Sequence, residues 1–178
     1  MGAPIELIPL LCIKCASPLP AQPDEVAWVC ERCGQGLLLD ESKGLLPLQV
    51  HYAASLPQDG TGRPFWVADG QVSLQRELFS GNKSAEAQLL WAQPRRFTIP
   101  AYTCTLDVLL RDGPQLLLKP PALQPGPAVK FQPVTLSPAD IQALAEFIVV
   151  AIEAERSDML KQIVVSVKIG EPVLWILP

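Results

Sequence analysis

Histidine is almost missing from this chain, since His51 is the single one among 178 residues. A Ser/His/Asp or Cys/His catalytic site would have to use it, yet no nucleophile or base motif flanks it in Leu48-Gln49-Val50-His51-Tyr52-Ala53. That stretch alternates with period two, so a strand is expected and His51 is given a structural or surface role on it. Charge is also scarce, at 18% of residues with a net charge of -4. Clustered Lys and Arg, the source of affinity for a phosphate backbone, are therefore in short supply, which disfavours a nucleic-acid partner. No apolar run approaches the eighteen or so residues of a membrane-spanning helix, so no membrane span is expected. The start Met1-Gly2-Ala3-Pro4-Ile5-Glu6 lacks the basic opening of a secretory signal and the Ser or Thr of a myristoylation signal. A soluble protein of the cytoplasm is expected.

What the chain does carry is apolar mass. Hydrophobic residues make up 49% of it and the mean hydropathy is +0.24, so it can bury a core and is not disordered. Nineteen prolines fall along its whole length. They favour strands and loops over long helices. A length of 178 residues suits one ordinary domain beside a small metal-stabilised one, and the division is drawn at residues 1–46 and 47–178.

The most informative stretch holds two pairs, Cys12-Ile13-Lys14-Cys15 and Cys30-Glu31-Arg32-Cys33, separated by fourteen residues, one below the usual range. Two such clips can close a tetrahedral cage around a borderline-soft ion, so Cys12, Cys15, Cys30 and Cys33 are the expected ligands of a structural Zn2+. Iron and a redox dithiol pair are the competing uses of the same residues. Runs from Ile5 to Leu11 and from Glu25 to Val29 read as strands feeding the two clips. The proline-rich segment from Ser17 to Asp24 between them reads as a loop. Gly34 and Gly36 are expected to supply positive φ after the second pair, whereas Ala16 follows the first. Leu37 to Leu39 and Gly44 to Leu46 read as a hairpin turning at Asp40-Glu41-Ser42-Lys43.

In the larger unit, Pro57 to Pro64 reads as a turn-rich loop, and Asp69-Gly70 between Phe65-Trp66-Val67-Ala68 and Gln71 to Arg76 reads as a tight hairpin turn. A short helix is expected from Ser84 to Trp91, a strand from Arg95 to Ile99, one or two helical turns from Thr105 to Leu110, and extended chain from Leu116 to Lys119. Prolines between Pro120 and Pro133 predict an extended crossing. Ser137-Pro138-Ala139-Asp140 supplies an N-cap and an acidic first turn, and Ile141, Leu144, Ala145, Ile148, Val149 and Ile152 follow at helical spacing. A helix from about Pro138 to about Lys161 is expected, its polar end from Glu153 to Asp158 meeting solvent or a partner. Ile163 to Ile169 and Pro172 to Leu177 are expected to close the chain as a hairpin. The fold class that results is α+β: an N-terminal zinc ribbon, then a mainly antiparallel β domain with one long C-terminal helix and a terminal β-hairpin.

Other candidate residues carry less. Cys104 is unpaired and is expected to be a buried small hydrophobe. Gly81-Asn82-Lys83-Ser84 lacks the glycines of a phosphate-binding loop. Arg95-Arg96 is the only basic cluster, and over residues 1–45 the three bases Lys14, Arg32 and Lys43 face six acids, a balance of -3. Phe65-Trp66, Trp91 and Trp175 are core candidates that would become anchors for a protein partner if exposed.

The first 45 residues resemble the zinc-ribbon domains of transcription, ribosomal and replication proteins, with Cys12, Cys15, Cys30 and Cys33 at the four ligand positions. The resemblance implies the ribbon fold and its metal but no one function. Pro64-Phe65-Trp66-Val67 and Phe97 to Tyr102 resemble the aromatic-proline segments of uncharacterised bacterial zinc-ribbon proteins, some associated with phage-shock and stomatin-like membrane-stress systems. Together these readings predict a non-enzymatic adaptor or scaffold that binds another protein in a bacterial assembly, with a nucleic-acid-binding accessory factor as the alternative.

Overall fold

The computed structural model describes residues 10–178. Most of the strand expected from Ile5 to Leu11 lies outside those residues, and within them Leu11 bridges antiparallel to Pro18. The strands β1 (Ala27–Val29), β2 (Gly36–Asp40) and β3 (Gly44–Leu48) form an antiparallel sheet in that order. The β2–β3 turn forms where the sequence places it, because Asp40 Oδ1 accepts from the Ser42 N–H and hydroxyl and the Lys43 N–H. Leu39 N donates to Val26 O toward β1, so alternate backbone groups of β2 face β3. The backbone groups of Leu45 and Pro47 then point away from β2, and Pro47 stands where no N–H is needed. Gly36 does not take positive φ; a Cβ there would collide with the Leu48 carbonyl.

The larger sheet is organised around β5 (Thr61–Ser80), twenty residues long. Before it comes β4 (Val50–Tyr52), and after it follow α1 (Ser84–Trp91), β6 (Arg95–Pro100), α2 (Leu106–Leu118), β7 (Lys130–Phe131), a 3-10 turn Pro138–Asp140, α3 (Ile141–Ala154), β8 (Met159–Ile169) and β9 (Val173–Leu177). The strand order is β4-β9-β5-β6, with β7 and β8 also paired to β5. Buried Trp66, Phe97, Ile99, Ile148, Leu174 and Ile176 form the centre of the main core. The fold is α+β, as expected.

Several local expectations fail, each for a tertiary reason. The hairpin at Asp69-Gly70 does not form, because β5 runs straight through it, pairing Asp69 with Arg96 and Gly70 with both Arg95 and Ile169. Gly70 is needed for space: an added Cβ would sit 3.0 Å from the Phe97 ring. The expected loop after Pro57 likewise ends early, since Thr61 already begins β5. In α2 the helix continues through Gly113-Pro114 to Leu118 instead of turning extended at Leu116. There a Cβ on Gly113 would lie 2.7 Å from Ile148, so the glycine sets the close approach of α2 to α3.

The long C-terminal helix stops at Ala154, and Met159 already belongs to β8. Its polar end meets solvent only in part: Glu155 and Ser157 are exposed, whereas Glu153 has no exposed surface. Finally, β8 and β9 do not pair with each other. Both run antiparallel to β5, end to end, with Ile169 opposite Gly70 and Val173 opposite Val67. Four steps of the terminal strand thus match three of β5, a one-residue bulge at the Gly170-Glu171-Pro172 corner.

A second, smaller core of Cys12, Leu19, Trp28, Cys30 and Leu37 lies under the cysteine pairs. It is tied to the main body through Val26 N donating to Val134 O at 2.8 Å and through Ala27, which packs into the larger core.

Candidate metal centre

The two cysteine clips fold alike. Cys12 N donates to Ser17 O and Ala16 N to Cys12 O; Cys30 N donates to Gln35 O and Gly34 N to Cys30 O. Each turn therefore needs left-handed backbone one residue after its second cysteine. Gly34 takes φ 70° there, and Ala16 takes φ 56° despite its Cβ. The departure noted in the sequence is thus absorbed as local strain.

These turns bring all four Sγ atoms within 4.8 Å of one another. Cys12 and Cys33 sulfurs are 3.6 Å apart, as are those of Cys15 and Cys30. Zn–S bonds of about 2.3 Å at tetrahedral angles would put sulfurs about 3.8 Å apart, so the donor set fits such an ion. A disulfide, with its sulfurs about 2.05 Å apart, does not describe this spacing. The four cysteines could hold a metal ion, and among the described residues no fifth His, Cys, Asp or Glu joins the cluster.

Electrostatics point the same way. The Ser17 hydroxyl, 3.4 Å from Cys15 Sγ, and the Ser17 amide lower that thiol to about 6. The Gln35 amide also favours the Cys33 thiolate, but burial and the sulfurs of Cys12, Cys15 and Cys30 outweigh it and push Cys33 up to about 12. Four clustered thiols cannot all ionise without a cation among them. A divalent ion removes that conflict and makes its own binding proton-linked.

The remaining candidate residues are placed as follows. His51 stacks on Trp175 with ring centroids 4.9 Å apart. Cys104 packs half-buried beside the main core, and burial pushes its thiol up. Phe65, Trp66, Trp91 and Trp175 are all buried, so Phe65-Trp66 is a core element and not a docking anchor. Arg95 Nε donates to Leu90 O, and Arg96 forms two bonds to Asp69, so both members of the basic pair are engaged within the chain.

One polar cluster was not anticipated. Glu153 accepts from Trp91 Nε1 at 2.8 Å and Arg156 Nε at 2.9 Å, and its Oε2 lies 3.0 Å from Arg76 Nε. Arg76 also donates to Asp158, whose other oxygen accepts from Lys83 N. The sequence did hold a signal: Glu153 follows Val149 by four and so lies on the apolar stripe of α3.

A cleft of about 740 Å³ separates the ribbon from the larger unit, walled by Leu39, Pro47 and Leu48 on one side and by Pro138, Ala139 and Pro172 on the other. Its charged lining residues are Asp40, Glu41, Asp140 and Glu171, with no base among them. Near the metal site Leu11 and Ile13 are exposed. No helix among the described residues is long and apolar enough to cross a membrane.

Comparison with family models, with curated proteins and with solved structures returns no match. The link to membrane-stress systems implied by the second sequence resemblance therefore has no relative behind it.

Proposed function

We propose that this chain is a non-enzymatic zinc-ribbon adaptor that binds another protein in a bacterial cytoplasmic assembly, with one structural Zn2+ on Cys12, Cys15, Cys30 and Cys33. The observation that carries this reading is the cluster of four Sγ atoms within 4.8 Å of one another, since a zinc ion held by four thiolates keeps no coordination position for a water or substrate. Such a site orders its two turns and the small core beneath them and does not itself react. The exposed Leu11 and Ile13 beside it supply apolar contact area that a protein partner can cover.

Two observations favour a protein over a nucleic acid. The cleft beside the ribbon is lined by four acids and no base, which repels a phosphate backbone. Arg95 and Arg96, the only paired bases in the sequence, are already bonded to Leu90 O and Asp69. Purifying the native complex from source cells in parallel at low and high salt, with and without nuclease, tests the reading. A stoichiometric protein partner that survives nuclease supports it. Partners that disappear with nuclease, and direct binding of the purified chain to DNA or RNA that weakens steeply with salt, would favour the accessory-factor alternative. Turnover of any substrate by the zinc-loaded chain would contradict the non-enzymatic assignment.

A further inference from the structure

Among the described residues no strand pairs with the outer edge of β8, whose other edge is laddered to β5. Val167 N donates to Glu146 Oε1 of α3, away from β5, so alternate residues Ile163 and Val165 also turn their N–H and C=O groups outward. Lys161 is the extra residue of a bulge, since Gln162 pairs with Glu77 and Leu160 with Leu78. Glu146 at one end and the bulge at the other thus bound a short open stretch centred on Val164. This stretch, Ile163-Val164-Val165-Ser166-Val167, is rich in β-branched residues and carries neither proline nor charge, the usual devices that blunt an edge. Beside it stand exposed apolar side chains: Val164 on the strand at 48% exposure, and on α3 Phe147 at 51% and Val150 at 38%. Val150 is one turn beyond Glu146 on the helix that packs on β8, so it flanks the same edge.

We propose that this edge is the dimer interface of the protein, occupied by β8 of a second copy of the chain in antiparallel register about Val164. The sequence of the edge is self-complementary in that register. Ile163 and Val165 form the hydrogen-bonded pairs with Val165 and Ile163 of the second copy, which uses the outward groups of both strands. Val164 meets its own equivalent at the closely spaced, non-hydrogen-bonded position, and Gln162 meets Ser166. The side chains over the seam are uncharged, and Lys161 is turned aside to Glu77 at 2.9 Å, so no bare like charge opposes its copy there. A twofold axis through Val164 brings the two α3 helices together on the other face, where Phe147 and Val150 add the apolar area that a strand pair alone lacks. The large sheet then continues from β5 through both copies of β8 to the second β5.

The test measures molar mass in solution for the full chain and three variants. The wild type should sediment at twice the 19.3 kDa chain mass at high concentration and dissociate on dilution. Val164→Lys and Val164→Glu, each placing like charges face to face, should keep the far-ultraviolet circular dichroism of the wild type and run at the single-chain mass. Mixing those two variants should restore the double mass, because an ammonium then opposes a carboxylate across the twofold axis. Val164→Thr, uncharged and strand-compatible, should remain a dimer, which separates loss of pairing from loss of fold. A wild type at the single-chain mass at every concentration would overturn the proposal, including the case in which a foreign strand occupies the edge. A double mass that survives both charged substitutions would overturn it as well.

Discussion

Arg76 Nε lies 3.0 Å from Glu153 Oε2, and both side chains are shut away from water, at 5% and 0% exposure. Asp158 completes the balance from the turn before β8 at 2.8 Å from Arg76 Nη2. This cluster joins β5, α1, α3 and the turn before β8. Removing one partner leaves a charge buried with less than its full compensation, which typically costs about 3–5 kcal/mol. Glu153→Gln should destabilise by the lower part of that range, since Asp158 still faces Arg76, as read from denaturant unfolding. Replacing Arg76 and Glu153 together by Met and Leu should recover part of the loss. A loss in the double variant equal to the sum of the single losses would contradict coupling through this pair.

Acid should attack the same cluster. Burial raises the Asp158 carboxyl, but the Lys83 amide, Arg76 and the Asn82 amide outweigh it and hold the group below its usual value. A carboxyl lowered in the folded state contributes stability that is fully present above the ordinary carboxylate range and lost as pH falls through the lowered value. Unfolding midpoints measured from neutral pH into that acid range should therefore fall less steeply in Asp158→Asn than in the wild type. Equal slopes would show that Asp158 binds its proton alike in both states.

At Gly70 the strand has room for hydrogen only, with the Phe97 ring 3.0 Å from where a Cβ would stand. Gly70→Ala should cost about 1–3 kcal/mol by overpacking. Phe97→Leu, costly on its own, should cost less in the Gly70→Ala background, because it frees the space the new methyl needs. A thermodynamic cycle from urea unfolding measures that coupling.

Ala16 offers the opposite change. Its φ of 56° is strained for a residue with a Cβ, and Gly34 does the same job unstrained at 70°. Ala16→Gly should stabilise the metal-loaded ribbon by up to about 1 kcal/mol, with the relief of strain partly offset by the freedom glycine gains in the unfolded chain. Gly34→Ala should destabilise it by about the same amount. Competition with a chromogenic chelator would read both as opposite shifts in zinc affinity.

The sequence reading succeeded where local chemistry decides the outcome. The cysteine spacing, the Asp40 turn, the helix Ser84–Trp91 and the start of α3 after Ser137 each depend on residues a few positions apart. It failed where distant chain overrides a local preference. Asp69-Gly70 favours a turn, but strands on both edges of β5 hold it extended, and the glycine serves Phe97 instead. Leu116 to Lys119 reads as extended, yet Gly113 allows α2 to pack closely on α3 and the helix continues to Leu118. Glu155 and Ser157 are exposed as expected, but the Glu153 and Asp158 side chains are buried, and nothing nearby in sequence reveals that Arg76 waits beneath the helix end. The four-cysteine cluster is legible in the sequence and the buried charges are not, since a cysteine motif is compact in sequence and a core ion pair is assembled from remote parts.

The ribbon and the larger unit have separate cores joined through Val26, Ala27 and Val134. Under the proposed zinc assignment, Cys30→Ser should release the metal and unfold the ribbon while the larger sheet persists, because a structural metal and the turns that hold it fold together. Hydrogen exchange should then show lost protection in β1 to β3 and retained protection in β5 and β9. Collapse of protection in β5 would mean that the units share one core.

The most direct test of the metal assignment is element analysis of the purified full chain together with X-ray absorption at the zinc edge. One zinc per chain with four sulfur neighbours at about 2.3 Å is the expected result, and the metal should leave as acid protonates the thiolates. A chain that binds no metal when reduced, or one that takes up iron in preference to zinc, would contradict it.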